Sequence, residues 1–293
     1  MNEVVVLDSG YGKKVDAFLE KGVSEIFPNR DSVKNLLLKT EKPLTLYAGF
    51  DPTAPTLHLG HTIQLRKLKQ WQDMGHKVVF LVGDFTALIG DPTDKLAART
   101  QLTEREVKQN LRTYKAQAGK IIRFSGKNKA VIRFNAQWLK KMKLKDIISL
   151  SSLVTVDQMQ KRDMFDRRTQ EGKPIYMHEF LYPLMQGYDS VALKVDGEVG
   201  GTDQTFNMLM GRTLEQKLLQ KEKFVITMKL LEDGSGKKMG KSEGNMVALD
   251  EDPSQMYGKV MSWPDSVVPS AFELLTDLDT EAVTTLFTAT PHP

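Results

Sequence analysis

The sequence contains no cysteine among its 293 residues. This absence excludes a disulfide scaffold, a cysteine-ligated zinc site, an iron–sulfur cluster and thiol catalysis. The sequence also lacks any run approaching the roughly 20 apolar residues of a membrane span, and its first residues lack the basic segment of a secretory signal. The excess of basic over acidic residues is small, with a net charge of +4. Such a charge is compatible with a polyanionic partner but does not indicate one. We therefore expect a soluble, cytoplasmic protein that does not contact a membrane.

Strand patterns and helix patterns alternate along the chain. The predicted strands are 45–50, 77–86, 130–134, 190–195 and 224–231, and the predicted helices are 61–74, 103–122, 143–170, 175–187 and 203–219. This alternation predicts an α/β fold, a Rossmann-like parallel sheet with helices on both faces, followed by the start of an α-helical domain. Ligands of such folds bind at the carboxyl ends of the strands. We therefore expect the site in the loops after Phe50, Thr86, Val195 and Leu231.

Two histidines follow the first strand pattern and open a helix. His58 and His61 are three residues apart, so they share a helix face near an N-terminus, where backbone N–H groups favour a phosphate. Gly60 between them has no side chain, which lets a flat group such as a purine approach the backbone. A zinc pair is a weaker interpretation, because the metalloprotease pattern needs a spacing of four and a glutamate. Two histidines that cap a turn are the structural alternative.

A second motif places three lysines between glycines, in the segment 236–245. It predicts a mobile basic loop that neutralises phosphate charge as that charge develops in a transition state. It does not match a phosphate-binding P-loop, because Ser235 stands where that motif needs its first glycine. A solvated surface loop is the alternative.

The two motifs together, in this order and about 180 residues apart, resemble the paired signatures of class I aminoacyl-tRNA synthetases. Within that family the chain is most similar to the bacterial-type tyrosyl-tRNA synthetases. The similarity rests on the segments 46–53, 88–92, 182–189 and 200–204. The departures are small: Ala48 replaces a cysteine of some relatives, Glu198 a glutamine, and Gly240 the serine of the second signature. None of them removes a required charge.

The resemblance implies a slot for tyrosine with polar groups at both ends. Tyr182, Gln186 and Asp189 follow an i, i+4, i+7 spacing that places them along one helix face, although a solvent face would show the same spacing. In the family, the residues matching Asp91, Tyr182 and Gln186 hold the ammonium, those matching Tyr47 and Asp189 bond the phenolic hydroxyl, and Gln204 lies near the carboxylate. Phenylalanine would leave the hydroxyl-binding groups buried and unpaired, which selects against it.

The resemblance also implies the residues that handle ATP. The catalytic set comprises Thr53, His58, His61, Lys95, Arg99, Lys238 and Lys241, of which the last four are basic groups on two mobile segments that grip pyrophosphate. The ATP-binding set comprises Gly49, Asp51, Gly60, Gly201, Asp203, Leu231, Met239 and Ser242. Mg²⁺ is expected to arrive with ATP, because no carboxylate cluster indicates a dedicated cage. We expect no resident metal and no tightly bound cofactor.

The expected function is that of a tyrosine–tRNA ligase, with tyrosine, ATP and tRNA(Tyr) as partners. The alternatives are a tryptophanyl-type synthetase, another nucleotidyl transferase of this fold, and a noncatalytic RNA-binding paralogue.

The expected organisation is an N-terminal helical segment (1–40), a catalytic domain (41–244) and the beginning of an incomplete helical anticodon-binding domain (245–293), as in a C-terminally truncated chain. The resemblance implies a homodimer that pairs through an inserted region near 120–180. Its apolar stretch 143–160 reads equally well as a core helix.

Overall fold

The computed structural model describes residues 10–91, 102–234, 236–240 and 246–289. Its centre is one six-stranded sheet in the order β1-β6-β5-β2-β3-β4. The strands are β1 (Val23–Phe27), β2 (Thr45–Phe50), β3 (Lys77–Val82), β4 (Val131–Phe134), β5 (Gly197–Gly201) and β6 (Phe224–Met228). All neighbouring strands are parallel except β1, which pairs antiparallel with β6 at one edge. The predicted α/β class is therefore confirmed, and the antiparallel edge strand is an addition to it.

Helices connect and cover the strands. In the described residues they are α1 (Tyr11–Glu20), α2 (Arg30–Lys39), α3 (Leu59–Asp73), α4 (Thr86–Ile89), α5 (Glu104–Asn110), α6 (Tyr114–Ala118), α7 (Ala136–Leu139), α8 (Leu144–Ser151), α9 (Val156–Gln160), α10 (Asp163–Gln170), α11 (Met177–Leu193), α12 (Thr205–Leu219), α13 (Pro253–Met261), α14 (Val268–Leu275) and α15 (Thr280–Ala289). Short 3-10 turns stand at Leu111–Thr113, Thr202–Gln204 and Asp265–Val267. None of the described helices is both long enough and apolar enough to cross a membrane.

The two faces of the sheet pack against different helices. Alternate side chains of β2 point to opposite faces, so Leu46 and Ala48 join the cluster that includes Trp71 of α3, whereas Tyr47 packs on the other face with Val79 and Leu81 of β3. Helix α3 ends just before Gly75, whose φ of +90° is the left-handed conformation typical of a glycine that follows a helix. Helices on both faces are therefore confirmed.

One predicted strand is wrong. Residues 190–193 form the last turn of α11, which ends at Lys194 in the left-handed conformation, and the strand follows at Gly197. The apolar residues that suggested a strand instead pack one face of α11. Val191, for example, belongs to the hydrophobic cluster between α11 and α12.

The long helix pattern 143–170 is also interrupted. It is divided into α8, α9 and α10, because the Thr155 side chain caps the start of α9 by accepting the Gln158 N–H. The pattern 103–122 is divided in the same way into α5, a 3-10 turn and α6.

The chain order places a crevice at the centre of the sheet. From β2 the chain continues to β3 and β4 on one side, while β5 and β6 lie on the other side of β2. The carboxyl ends of β2 and β5 therefore meet at a switch point, which is where open α/β sheets bind ligands.

Candidate active site

Asp51 links β2 to helices α4 and α11 through hydrogen bonds beside the crevice. It directly follows β2, and its carboxylate accepts hydrogen bonds from the Thr86 hydroxyl of α4 (2.7 Å) and the Tyr182 hydroxyl of α11 (2.8 Å). Gly83 leaves room for this contact, because a Cβ at that position would lie 1.8 Å from Asp51 Oδ1. The predicted ATP-binding aspartate is therefore at the carboxyl ends of β2 and β3, together with Gly49 on β2 itself.

The two histidines form the start of α3. His58 is the residue that caps the helix: its Nδ1 accepts the Gly60 N–H (3.1 Å), and the Nδ1 of His61 accepts the His58 N–H (3.0 Å). A neutral imidazole that accepts at Nδ1 carries its hydrogen on Nε2. In the described part of the chain neither Nε2 atom has a hydrogen-bond partner, so the capping role leaves two N–H donors available for a ligand.

Burial keeps both histidines neutral. It lowers the pKa of His58 to about 4, with a smaller contribution from the positive charge of Lys238. The pKa of His61 lies well below its usual value for the same main reason, with further contributions from His58 and Lys238. The pair can therefore donate hydrogen bonds to a phosphate near neutral pH without adding charge. This arrangement does not support the zinc interpretation, since both Nδ1 atoms already accept backbone N–H groups.

The lysine loop returns to the end of the sheet. The Met239 N–H donates to the Leu231 carbonyl (2.7 Å), and Lys238 forms an ion pair with Asp203, which lies just beyond β5. A Cβ at Gly201 would lie 2.4 Å from Asp203 Oδ1, so this glycine allows the aspartate to fold back over the strand end. The loop thus brings the predicted catalytic residue Lys238 next to four predicted ATP-binding residues: Gly201, Asp203, Leu231 and Met239.

Thr53 makes a backbone contact near Asp51, and four other predicted residues lie outside the described part of the chain. Thr53 stands in the loop after β2, where its N–H donates to the Asp51 carbonyl (2.8 Å). The basic residues Lys95, Arg99 and Lys241, and also Ser242, lie outside the described residues.

One polar cluster is built around Asp91. Its carboxylate accepts hydrogen bonds from Arg162 (2.8 Å) and from Gln204 (2.7 Å). The Asn207 amide donates to both Gln186 (2.8 Å) and Gln204 (3.0 Å), so one buried side chain orients two predicted substrate-binding residues. Among the described residues, no three histidine, aspartate or glutamate side chains are grouped as a metal cage.

The predicted helix face of α11 points inward. Tyr182 and Asp189 are 4% and 2% exposed, so the solvent-face alternative is wrong for them. Burial raises the pKa of Tyr182 well above its usual value, and the charges of Asp51 and Asp91 add to the effect. The hydroxyl therefore keeps its hydrogen and donates it to Asp51.

A second polar cluster lies around Asp189, close to Tyr47. The Trp138 indole N–H (2.8 Å) and the Asn135 amide (3.3 Å) both donate to the Asp189 carboxylate, and Trp138 also packs against the cluster that contains Tyr47. Burial raises the pKa of Asp189 well above its usual range, whereas these two donors favour the ionised form.

Sequence reasoning missed several residues that support the site: Thr86, Asn135, Trp138, Arg162 and Asn207. One signal could have found Asn135, because it directly follows β4 and so lies at the carboxyl end of a predicted strand. Arg162 gave no such signal, since its partner Asp91 is 71 positions away. Asn207 gave none either, because nothing in the sequence marks its amide as the donor to Gln186 and Gln204.

The chain belongs to the class I tRNA synthetase family for tryptophan and tyrosine, whose family model matches residues 39–292. It is 49% identical over 268 residues to a tyrosine–tRNA ligase of Carboxydothermus hydrogenoformans, covering 90% of this chain and 64% of that protein. A tyrosine–tRNA ligase of Synechococcus is 49% identical over 262 residues, covering 89% of this chain and 63% of that protein. The chain thus spans just under two thirds of the length of these curated relatives.

Solved structures give the same fold. A C-terminally truncated mitochondrial tyrosyl-tRNA synthetase of Coccidioides posadasii superposes with a TM-score of 0.73 at 26% identity, covering 97% of this chain and 84% of that one. The tyrosyl-tRNA synthetase of Archaeoglobus fulgidus, solved in complex with L-tyrosine, gives 0.72 at 20% identity, covering 90% and 80% of the two chains.

Proposed function

We propose that the protein is a tyrosine–tRNA ligase, which joins tyrosine to ATP as tyrosyl-adenylate and then transfers tyrosine to tRNA(Tyr). The observation that carries the proposal is a pair of polar clusters, one around Asp91 and one around Asp189, with the buried Tyr182 and Asp189 both on α11. Asp91, held by Arg162 and Gln204, suits the ammonium of an amino acid. Asp189, held by Trp138 and Asn135, suits a hydroxyl at the far end of the side chain.

Tyrosine is favoured over tryptophan because of Tyr47. A phenolic hydroxyl can donate one hydrogen bond and accept others, so it can satisfy both the Asp189 carboxylate and the Tyr47 hydroxyl. An indole N–H can only donate, so it can bond Asp189 but cannot accept a hydrogen from the Tyr47 hydroxyl. Phenylalanine offers neither bond, so Tyr47 and Asp189 would keep only their protein partners, at a cost of about 1–3 kcal/mol for each bond that a phenol would have supplied.

The activation step needs positioning and charge stabilisation. The tyrosine carboxylate oxygen attacks the α-phosphorus of ATP, a new C–O–P linkage forms, and the bond to the departing pyrophosphate breaks. The Nε2–H groups of His58 and His61 and the N-terminus of α3 would donate to the phosphates. Lys238, together with the other predicted basic residues Lys95, Arg99 and Lys241, would stabilise the charge that accumulates on pyrophosphate. We infer that Mg²⁺ arrives with ATP as part of the substrate.

Amino-acid-dependent exchange of labelled pyrophosphate into ATP tests the proposal. We expect exchange with tyrosine and background rates with phenylalanine and tryptophan. Exchange with tryptophan alone would favour the tryptophanyl alternative. An absence of exchange with every amino acid would favour a noncatalytic paralogue and contradict the proposal.

We also propose that the protein is a homodimer of the cytoplasm, with a catalytic domain near residues 41–244. Support for pairing comes from the inserted helices, where Leu144 and Ile148 of α8 and Met177 of α11 are 75%, 61% and 76% exposed. Large apolar side chains that are exposed together commonly mark an interface. Leu150 of the same helix is buried, so the stretch 143–160 serves both as core and as exposed surface.

A further inference from the structure

A fully buried lysine lies behind the hydroxyl-binding end of the slot. Lys223 directly precedes β6, and its side chain is 0% exposed. Its ammonium donates to the Ser190 hydroxyl (2.8 Å) and to the Glu198 carboxylate of β5. The Ser190 oxygen in turn lies 2.8 Å from the Tyr47 hydroxyl. A continuous chain of hydrogen bonds therefore runs from the ion pair to a residue predicted to recognise the substrate.

The neighbouring helices are shaped to admit this lysine. A Cβ at Gly211 of α12 would lie 2.6 Å from the Lys223 ammonium and 2.7 Å from Ser190 Oγ. A Cβ at Gly187 of α11 would lie 3.1 Å from the Gly211 backbone nitrogen, so both glycines let the two helices approach. The ammonium also lies 5.7 Å from the centre of the Tyr47 ring, a distance at which a cation attracts an aromatic face.

The lysine restricts the direction of the hydrogen bonds. An ammonium can only donate, so the Ser190 oxygen accepts from Lys223 and keeps one lone pair and its single hydrogen. Either hydroxyl could donate in the bond between Ser190 and Tyr47, and we take Ser190 as the donor because its bond lowers the pKa of Tyr47. The hydrogen of the Tyr47 hydroxyl is then directed away from Ser190. Two acceptors compete for it, the Glu198 carboxylate and the oxygen of a bound phenol.

Glu198 acts on Tyr47 through its charge. Burial raises the pKa of Tyr47 well above its usual value, and the nearby Glu198 carboxylate raises it further. Unpaired, this carboxylate would hold the Tyr47 hydrogen strongly. The Tyr47 hydroxyl also bonds this carboxylate, which raises the pKa in the same direction. The ion pair with Lys223 compensates the carboxylate charge, which weakens that bond and lets a bound phenol take the Tyr47 hydrogen instead.

We propose that Lys223 is a positioning residue for recognition of the substrate phenol. It leaves the Ser190 hydrogen free for Tyr47 and neutralises Glu198. The Tyr47 hydroxyl therefore donates to the phenolic oxygen, while Asp189 accepts the phenolic hydrogen. This inference rests on the proposed function, since it assigns a role in selecting tyrosine.

The variant Lys223→Met tests the inference through the ratio of two substrates. In pyrophosphate exchange we expect the KM for tyrosine to rise about tenfold, the effect of one hydrogen bond of about 1.4 kcal/mol. The KM for ATP and the calorimetric Kd for phenylalanine should stay near those of the wild type, because neither molecule presents a phenol. Equal changes for tyrosine and phenylalanine would overturn the inference.

Two further variants separate positioning from simple stability, because Lys223→Met leaves Glu198 buried without its cation. The double variant Lys223→Met/Glu198→Met removes both charges, and Ser190→Ala keeps the ion pair but breaks the link to Tyr47. Both should retain the reduced preference for tyrosine over phenylalanine. Wild-type preference in both would mean that the ion pair is only structural.

Calorimetric Kd values of tyrosine and phenylalanine for the same proteins make the result independent of catalysis. A wild-type protein that binds tyrosine without exchange would count against the proposed function alone. In that case the ratio of the two Kd values in the variants still decides the role of Lys223.

Discussion

At the scale of single residues, Gly60 shows how the two histidines of the candidate site depend on their neighbour. A Cβ at this position would lie 2.9 Å from His58 Cε1 and 3.0 Å from its Nδ1. It would also lie 3.6 Å from the Met239 carbonyl of the lysine loop. A side chain at residue 60 therefore displaces the imidazole that caps α3, whereas the residues proposed to bind tyrosine lie on other elements.

We expect Gly60→Ala to lower the kcat of pyrophosphate exchange at least tenfold while the Kd for tyrosine stays close to that of the wild type, because misplacing a catalytic group by about 1 Å is enough for such a loss. Stopped-flow kinetics and calorimetry measure the two quantities. Gly12→Ala in α1 is the matched control, since nothing lies within 4 Å of a Cβ there. Similar kcat values for the two variants would contradict a positioning role for Gly60.

His76 provides a pH-dependent test of the fold. It is fully buried, its Nδ1 accepts the Leu44 N–H (3.2 Å), and its Nε2 lies 2.8 Å from the Tyr11 hydroxyl. Burial lowers its pKa to about 4, against a small opposing effect of Asp196. The unfolded chain therefore binds more protons at this residue between pH 6.5 and 4, and stability falls as the pH falls through that range.

His76→Asn removes this titration and keeps an acceptor for Leu44. We expect the free energy of unfolding to decline less between pH 6.5 and 4 than in the wild type, by up to about 3 kcal/mol. Urea denaturation at a series of pH values measures the difference. Parallel pH profiles for the two proteins would show that His76 is not held neutral.

At the scale of secondary structure, the composition of β5 explains why the sequence did not predict this strand. Its sequence is Gly-Glu-Val-Gly-Gly, which has little of the β-branched pattern that marks a strand. The glycines are required by packing, because a Cβ at Gly197 would lie 2.2 Å from the Phe224 ring of the neighbouring β6. The strand is thus specified by its two partners in the sheet rather than by its own composition.

Gly197→Ala should lower the free energy of unfolding by about 1–3 kcal/mol, the usual effect of overpacking a core. Combining it with Phe224→Leu should recover part of the loss, because the smaller side chain makes room for the added methyl group. Thermal or urea denaturation of the single and double variants gives both values. Additive losses in the double variant would contradict the proposed clash.

The elements that sequence predicted well are those with a local signal. Strands β2 and β3 are buried apolar runs, and α3 combines an apolar stripe with a glycine at its end. The signature histidines were recognisable for the same reason, since their spacing lies within one segment. Arg162 could not be predicted as a partner of Asp91, because 71 positions separate them and only the folded chain brings them together.

At the scale of the whole molecule, the helices after β6 pack against the N-terminal part of the chain. Lys21 donates to the carbonyls of Thr276 and Leu278, and Arg66 of α3 forms an ion pair with Asp277. A second ion pair joins Lys229 to Glu273 of α14 (2.8 Å). The residues expected to begin a separate helical domain are therefore in contact with the helices that cover the sheet.

Dimerisation can be tested on the inserted helices. Ile148→Lys places a charge on an apolar side chain that is 61% exposed on α8, and we expect it to raise the Kd of the dimer. The control is Leu36→Lys on α2, where the side chain is 42% exposed outside the inserted region. Sedimentation analysis that finds the same dimer Kd for both variants would place the interface elsewhere.

The most direct test of the central claim is the isolation of enzyme-bound aminoacyl-adenylate in the absence of tRNA. The protein is mixed with MgATP and labelled tyrosine, passed through a desalting column, and the retained label is counted per active site. We predict close to one tyrosyl-adenylate per functional site, and background label when phenylalanine or tryptophan replaces tyrosine. Absence of retained tyrosyl-adenylate, or equal retention of phenylalanine, would contradict the assignment of the slot to tyrosine.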